Sequence, residues 1–334
     1  MSTLSRNPVL LLAAASLLAG GPARANDSEA AVGIGGLTLK QSRDISLDYE
    51  DLFLSIDEVR ITYRFTNHAK RPVDTLIAFP LPPLDANNWY RDWSALDFRT
   101  TVGGKPVTLS SVDVAMVNGR DVTALLRKRG WDMAEALDPE SHRFFDGLSR
   151  PQVDAAVRDG LVRREGDSIM PLWIVQRHIT RTQRFPAGKT ITVTHRYKPM
   201  NGGSVGGALD PQIRAGKDGT AAHYRSTYCT DDAFLSGFDR RLVAAKRPDG
   251  SYAAYYSELW LDYVLKSGAN WKGPIRDFRL VVDKGAPDNL VSFCMDGVRK
   301  ISPTQFEVRK RNFEPKKDLS ILIVQWHKAL QDVE

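Results

Sequence analysis

The alternation of apolar and polar residues is the feature that most limits how this chain can fold. Every second position of the segment 59–65 is apolar: Val59, Ile61, Tyr63 and Phe65. Side chains of a β-strand point alternately to opposite faces, so a period of two is typical of an antiparallel strand with one buried and one solvated face. The pattern predicts a strand here.

Further strands are predicted at short spacing on both sides of a helical segment. Extended stretches with turn residues between them continue to about residue 120, resume after Pro171, and dominate again from Ser251 onward. Many short strands joined by turns favour a sandwich. We therefore expect a mainly β protein of the antiparallel β-sandwich type with a helical insertion.

The helical insertion is predicted at 121–166 from signals for helix starts and stops. Candidate starts are Asp121, Asp138 and Ser149, and candidate stops are Gly130, Gly147 and Gly160. A fourth helix is expected to begin at Thr230, with Asp231 and Asp232 in its first turn.

These patterns divide the chain into six segments. They are a signal peptide (1–25), N-terminal sandwich strands (26–120), the helical insertion (121–166), returning strands (167–200), a glycine-rich flexible loop (201–222), and a C-terminal helix with a β-rich part (223–330). The apolar run DLSILIVQW in the last segment predicts a central strand buried on both faces. Such a strand requires the second half of the chain to pack on the first.

The first 25 residues have the pattern of a secretory signal peptide. An apolar stretch at 9–18 precedes Ala23 and Ala25, the small residues that signal peptidase recognises. We expect cleavage between Ala25 and Asn26. The alternative, a membrane anchor, would need about 20 apolar residues. Because no cysteine stands at the cleavage site to carry a lipid, a free periplasmic protein without a membrane span is the prediction.

The net charge argues against nucleic-acid binding. The formal charge of +6 falls to +4 when Arg6 and Arg24 leave with the signal peptide. This is ordinary solubility charge for a chain of this length, and no long basic tract accompanies it. The densest basic run, LLRKRG at 125–130, is interpreted as the solvated end of a helix.

The two cysteines, Cys229 and Cys294, are predicted to form a disulfide. An even number in an exported chain favours pairing, because exported proteins fold under oxidising conditions. A catalytic thiol paired with a histidine is the alternative, although neither cysteine lies in a recognisable nucleophile motif.

Several short stretches together resemble a known family. They are NDS at 26–28, GGL at 35–37, FPLP at 79–82, YVLKSGANWKGPIRDFRLVVDK at 263–284, SFC at 292–294 and NFEPKKDL at 312–319. As a set they are similar to exported bacterial proteins grouped as domain of unknown function 4424, over nearly all of the chain after residue 25. The resemblance implies a Gram-negative periplasmic setting and a β-rich fold. It implies no activity, substrate or catalytic residue. We refer to these stretches as the family segments.

Two histidines are candidates for chemistry. His195 shares its strand face with Ile191 and Val193, and we expect a hydrogen-bonded core position, with a catalytic or pH-sensing role as the alternative. His178 shares its face with Gln176, and that face is predicted to be solvated. Neither histidine has a second ligand at the spacing of a metal site, so no metal and no cofactor are predicted.

The stretch FPLPPLDANNWYRDW at 79–93 places much aromatic surface between two strands. The candidate ligand-binding residues are Trp89, Tyr90, Arg91, Asp92 and Trp93. Buried aromatic side chains cover about 150 to 250 Å² each, so these residues either pack within the protein or contact a partner. The predicted partner is an envelope glycan or another exported protein. Asp92 is also the first candidate for a hydrolytic carboxylate, and neutralising Arg91 is its alternative role.

Together these features favour an exported, non-enzymatic binding or structural protein of the cell envelope. The sequence contains no H-E-x-x-H or C-x-x-C motif. The alternative is an envelope glycan hydrolase, whose two carboxylates would lie about 5 to 9 Å apart and come from separate parts of the chain. With 40 acidic residues present, that alternative stays open.

Overall fold

The structure is a computed structural model that describes residues 27–33, 36–85, 93–137 and 143–328. The strands are β1 (Ser28–Gly33), β2 (Gly36–Lys40), β3 (Ile45–Leu54), β4 (Val59–Asn67), β5 (Val73–Pro80), β6 (Arg99–Val102), β7 (Lys105–Pro106), β8 (Ser110–Val117), β9 (Arg120–Asp121), β10 (Val162–Glu165), β11 (Ser168–Pro171), β12 (Ile174–Phe185), β13 (Thr190–Tyr197), β14 (Gly202–Val205), β15 (Ala254–Tyr263), β16 (Ile275–Asp283), β17 (Leu290–Phe293), β18 (Arg299–Lys300), β19 (Gln305–Phe313) and β20 (Leu319–Lys328).

The α-helices are α1 (Thr123–Lys128), α2 (Arg143–Asp146), α3 (Arg150–Arg158), α4 (Pro211–Arg214), α5 (Thr220–Tyr228) and α6 (Asp232–Ala244), with 3₁₀ helices at Trp93–Leu96, Glu135–Leu137 and Lys266–Asn270. In the part of the chain that the structure describes, no helix is both long and apolar enough to cross a membrane. The predicted signal peptide and the helix start at Asp138 lie outside the described residues.

The largest sheet, called the main sheet, joins the two halves of the chain. It has eight strands in the order β18-β19-β16-β3-β4-β13-β6-β7. Neighbouring strands are antiparallel except β3 and β16, which run parallel. Parallel neighbours need a long connection, and here most of the chain lies between them. The C-terminal strands therefore complete a sheet that begins near the N-terminus.

Two smaller sheets cover one face of the main sheet. The first sheet has the order β2-β1-β5-β12-β8-β9, and the C-terminal sheet has the order β14-β15-β20-β17. Phe79 from β5 and Ile321 from β20 belong to the same buried cluster as Phe65 of the main sheet. The fold is therefore mainly β and built largely from antiparallel strands, as the alternation predicts.

The predicted central strand near the C-terminus is confirmed as β20. It lies between β15 and β17 in the C-terminal sheet. Ile321 and Ile323 face the main sheet, while Leu322 and Val324 pack with Phe238 of α6. Both faces of this strand are covered, which explains why its sequence is almost uniformly apolar.

The helical insertion lies between β9 and β10. Its helices pack with the ends of β8 and β12 around residues such as Leu126 and Trp173. At the start of α3, the backbone N–H and the hydroxyl of Ser149 both donate to the Gln152 side chain at 2.8 Å. The chain leaves α3 through Gly160 at a φ of 67°. Both ends match the local signals in the sequence.

Two local predictions differ from the structure. The segment 201–222 contains β14, α4 and the start of α5 in place of a flexible loop. Glycine at position 202 lets the backbone of β14 lie close to the side chain of Trp260 in β15. A Cβ on Gly202 would lie only 2.9 Å from the ring of Trp260. The N-cap of α6 is Asp231, whose carboxylate accepts a backbone N–H of the first turn, and Thr230 precedes it.

The prediction that His178 lies on a solvated face is wrong. His178 is only 5% exposed, and Gln176 and Thr180 on the same face are also buried. The first sheet curls until β2 contacts β8, so its second face encloses a small core that includes Val114. A period of two identifies residues that share a face, but it does not reveal that a curled sheet is covered on both faces.

Candidate functional site

The two cysteines form the predicted disulfide. Cys229 and Cys294 are bonded, with their Cα atoms 5.1 Å apart. Cys229 directly follows α5, and Cys294 directly follows β17 at the edge of the C-terminal sheet. The bond therefore ties the C-terminal end of α5 to that edge.

A half-open cavity of about 450 Å³ lies beside this bond, and we call it the disulfide cavity. Its apolar lining residues are buried or half-buried: Leu265, Met295, Phe313 and Leu319. Its other lining residues are Ser226, Thr227, Cys294, Glu314, Lys316, Lys317, Asp318 and Ser320. Sites for small ligands have this composition and volumes of about 300 to 1,000 Å³.

Three family segments meet at the disulfide cavity. Leu265 belongs to the segment 263–284 and precedes β16. Cys294 ends the SFC segment, and Phe313 and Lys317 belong to NFEPKKDL. These stretches are distant in sequence. The pairing of the strands that flank them brings them to one place.

Asp318 anchors one wall of the cavity. Its Oδ1 accepts the backbone N–H groups of Leu265 and Lys266 at 3.0 and 3.1 Å, and Nζ of Lys266 lies 4.0 Å from Oδ2. Burial raises the pKa of Asp318, although these N–H groups and the ammonium act in the opposite direction. This carboxylate holds the 3₁₀ helix against the start of β20.

The exposed charges of the cavity belong to one short run. Lys316 and Lys317 are exposed cations, and Glu314 is an exposed anion two positions before them. Because water solvates all three, their charges are available to a ligand at the opening. The apolar lining residues supply the complementary surface below them.

A second group of polar side chains is sealed inside the sandwich. Arg181 donates to both carboxylate oxygens of Asp27, at 3.0 and 2.5 Å. Nε2 of His195 lies 3.1 Å from the same carboxylate, and its Nδ1 lies 2.8 Å from the hydroxyl of Thr100. We call Asp27, Arg181 and His195 the buried ion cluster.

Protonation in the buried ion cluster follows from burial and pairing. Burial by itself would raise the pKa of Asp27, but Arg181 and His195 outweigh it and hold that pKa well below its ordinary value. Burial lowers the pKa of His195 below its ordinary 6.5 despite the attraction of Asp27, so the neutral imidazole is favoured at pH 7. The three residues are at most 5% exposed, which leaves a ligand no access. The predicted core position of His195 is confirmed.

Two further family segments, NDS and FPLP, meet another part of the segment 263–284 at the buried ion cluster. Nε1 of Trp271 donates to the carbonyl oxygen of Asp27 at 2.6 Å, and Nδ2 of Asn270 donates to the hydroxyl of Ser28 at 2.9 Å. The ring of Phe79 packs against the imidazole, with 5.2 Å between the ring centroids. Five of the six family segments therefore assemble in two places, one sealed and one open.

Most of the predicted ligand-binding residues fall outside the described part of the chain. Those residues are Trp89, Tyr90, Arg91 and Asp92. Trp93 is half-buried against the main core, and the guanidinium of Arg177 lies 4.4 Å from its ring. Trp93 thus packs within the protein, which is one of the two alternatives considered for this loop.

The sequence contains signals for residues that the predictions overlook. Arg181 shares its strand face with the apolar Val175 and Ile179, and an arginine among inward-facing residues indicates a buried partner. Lys316 and Lys317 form a charged run directly after a proline, which is typical of an exposed turn. Among the residues that the structure describes, no group of three or more histidine, cysteine and acidic side chains could hold a metal ion.

A family model, the domain of unknown function DUF4424, matches residues 25–322. The chain belongs to this family. The match includes all of the family segments, so the prediction of membership is confirmed. A search of the curated proteins finds no match.

Solved structures show more distant likenesses. A Legionella pneumophila protein to which a nutrient-binding role has been attributed aligns at 13% identity with a TM-score of 0.42, over 90% of this chain and 70% of that chain. The M1 zinc metallopeptidase of Deinococcus radiodurans aligns in two structures, one of them with a Tyr-Ser-Ala substrate bound. These have 10% and 9% identity and TM-scores of 0.26 and 0.27, over 86% and 85% of this chain and 43% of the enzyme. We draw no functional argument from alignments at these TM-scores.

Proposed function

We propose that this chain is an exported binding protein of the bacterial envelope and that the disulfide cavity holds its ligand. The observation that carries the proposal is the meeting of three family segments around one half-open cavity. Apolar lining residues supply affinity in such sites, and a few polar groups at the opening orient the ligand.

Two further observations support this proposal. The disulfide favours an oxidising compartment, in agreement with the predicted signal peptide and a periplasmic location. Asp27 and His195, an aspartate and a histidine that lie in contact, are sealed from ligands. A binding role therefore fits the accessible residues better than catalysis. The loop residues Trp89 to Asp92 remain a proposed contact for an envelope glycan or another exported protein.

A glycan hydrolase is the second candidate, because two carboxylates line the same cavity. Glu314 and Asp318 both belong to its lining, and the raised pKa of Asp318 is what a general acid requires. Against it, Oδ1 of Asp318 already accepts two backbone N–H groups. Release of reducing ends from cell-wall glycan that is lost in both Glu314→Gln and Asp318→Asn would favour the hydrolase over the binding protein.

The binding proposal is tested by closing the disulfide cavity. Ser226 is exposed on α5 in the cavity lining, so a Ser226→Trp variant fills the opening without removing a core side chain. Ser236→Trp makes the same change at an exposed position of α6 outside that lining. Each mature protein is incubated with a bacterial envelope extract, freed of unbound molecules by gel filtration, and measured by native mass spectrometry.

We expect the unsubstituted protein and Ser236→Trp to carry the same small bound mass, and Ser226→Trp to lack it. An unsubstituted protein without a bound species, or the same species on all three proteins, would contradict the proposal. Retention of the unsubstituted protein on immobilised envelope glycan, without release of reducing ends, would identify a glycan as the ligand.

A further inference from the structure

A second cavity, of about 380 Å³, is lined by other residues of α5 together with residues of α4 and the start of α6. We call it the arginine cavity, because Arg214 and Arg225 are its charged lining residues. Several of the others are small or apolar, among them Ala208, Ala222 and Leu235. Two arginine side chains therefore line a largely apolar space.

Arg214 is held in position within the protein. Its Nε donates to the carbonyl oxygen of Leu209 at 2.8 Å, one of its Nη groups donates to Asp239, and its side chain is only 19% exposed. A guanidinium carries five N–H donors, so several remain after these two bonds. A fixed, planar set of donors matches the geometry of a carboxylate.

Arg225 is placed at the solvent side of the cavity. Its side chain is 60% exposed, and its partner Asp232, at 3.1 Å, is 89% exposed. Ion pairs this exposed are weak. Arg225 can therefore exchange Asp232 for an anionic ligand at little cost in free energy.

One buried carboxylate fixes the wall of the arginine cavity. Glu258 accepts a hydrogen bond from the hydroxyl of Tyr224 at 2.6 Å and another from the backbone N–H of Leu209 at 3.0 Å. Tyr224 and Leu209 both line the cavity. Because its lining is already positioned, little ordering is needed when a ligand binds.

We infer that the arginine cavity binds a small organic monoanion, a carboxylate carried on an apolar body. Arg214 keeps its partner Asp239, whereas Arg225 can give up the exposed Asp232, so the lining offers one positive charge, which matches a monoanion better than a dianion such as a phosphate monoester. The alanine and leucine side chains favour a body that leaves water on binding. This site is separate from the disulfide cavity and does not depend on its proposed function.

Isothermal titration calorimetry of the mature protein with three probes of similar shape tests the inference. Benzoate is the monoanion, benzamide is its neutral counterpart, and phenyl phosphate is the dianion. Benzoate should bind. Benzamide should bind roughly tenfold more weakly or worse, because its hydrogen bonds to the arginines lack the ligand's negative charge, and phenyl phosphate should bind as weakly because its second charge has no cation to pair with.

Matched variants locate the site. Arg225→Gln should weaken benzoate binding roughly tenfold or more, while Arg240→Gln, the same change at an exposed position of α6, should leave it unchanged. Ala222→Phe fills the cavity from an exposed position of α5, so it should abolish binding without lowering the melting temperature. The inference is overturned if benzoate does not bind, if benzamide or phenyl phosphate binds equally well, or if Arg225→Gln and Arg240→Gln behave alike.

Discussion

Family segments contribute to both the buried ion cluster and the disulfide cavity, yet charged side chains have opposite environments in the two regions. Asp27 and Arg181 are removed from water and satisfy each other through two hydrogen bonds. Lys316 and Lys317 stay in water at the opening of a cavity. A charge taken out of water must be paired, whereas a solvated charge is free to meet a ligand.

Residue type alone therefore does not locate a functional site in this protein. An aspartate, an arginine and a histidine that lie in contact would suggest catalysis if judged by residue type. Here no ligand can reach them. The cavity has less distinctive chemistry and is accessible. Access, which depends on the packing of distant segments, separates the two regions.

The largest loss of stability is expected from Asp27→Asn, which disrupts the buried ion cluster. Arg181 would be left buried without its carboxylate, and breaking a buried pair costs about 3 to 5 kcal/mol of the free energy of unfolding. Asp74→Asn is the matched control, because it breaks the exposed pair with Arg184, for which about 1 kcal/mol or less is expected. Urea unfolding measures both, and equal losses would remove the distinction between buried and exposed pairs.

Replacing both cysteines should destabilise the region around the disulfide cavity. In the chain-entropy model, the bond closes a loop of 65 residues and contributes up to about 4 kcal/mol. We expect the Cys229→Ser, Cys294→Ser variant to lose stability and to show faster hydrogen exchange in α5, with exchange in β1 and β12 unchanged. Faster exchange in all three elements would mean that the two regions are not independent.

The stability that Asp27 supplies should depend on pH. Folding lowers the pKa of this carboxyl below its ordinary 3.8, so its contribution is fully present above about pH 5 and is lost as the pH falls below 3.8. The difference in unfolding free energy between the unsubstituted protein and Asp27→Asn should therefore be larger at pH 7 than at pH 3. A difference that stays constant over this range would argue against an ionised Asp27 in the folded protein.

The smallest effect on stability is expected at the cavity opening. Lys316→Gln with Lys317→Gln should change the free energy of unfolding by no more than about 0.5 kcal/mol, because both side chains are solvated. Lys105→Gln with Lys128→Gln is the control, since both residues are exposed and lie elsewhere. A clearly larger loss in the first pair would show that the cavity lysines stabilise the fold, and the contrast with the buried ion cluster would fail.

Predictions that rest on neighbouring residues agree best with the structure. The strand of Val59, the helix start at Ser149 and the buried strand β20 all follow from local patterns. The error at His178 and the difference at 201–222 have one cause, because each depends on a segment from elsewhere in the chain. A curled sheet covers the histidine, and pairing with β15 orders the glycines.

By itself the sequence determined the mainly β class and membership of the family, because alternation and short motifs are properties of neighbouring residues. Only the tertiary structure decided which charges are sealed and which remain open. Asp27 meets Arg181, 154 positions further along the chain, and that contact exists only when β1 and β12 occupy the same sheet. Burial is set by whatever covers a residue, and for these residues the covering segments lie far away in the sequence.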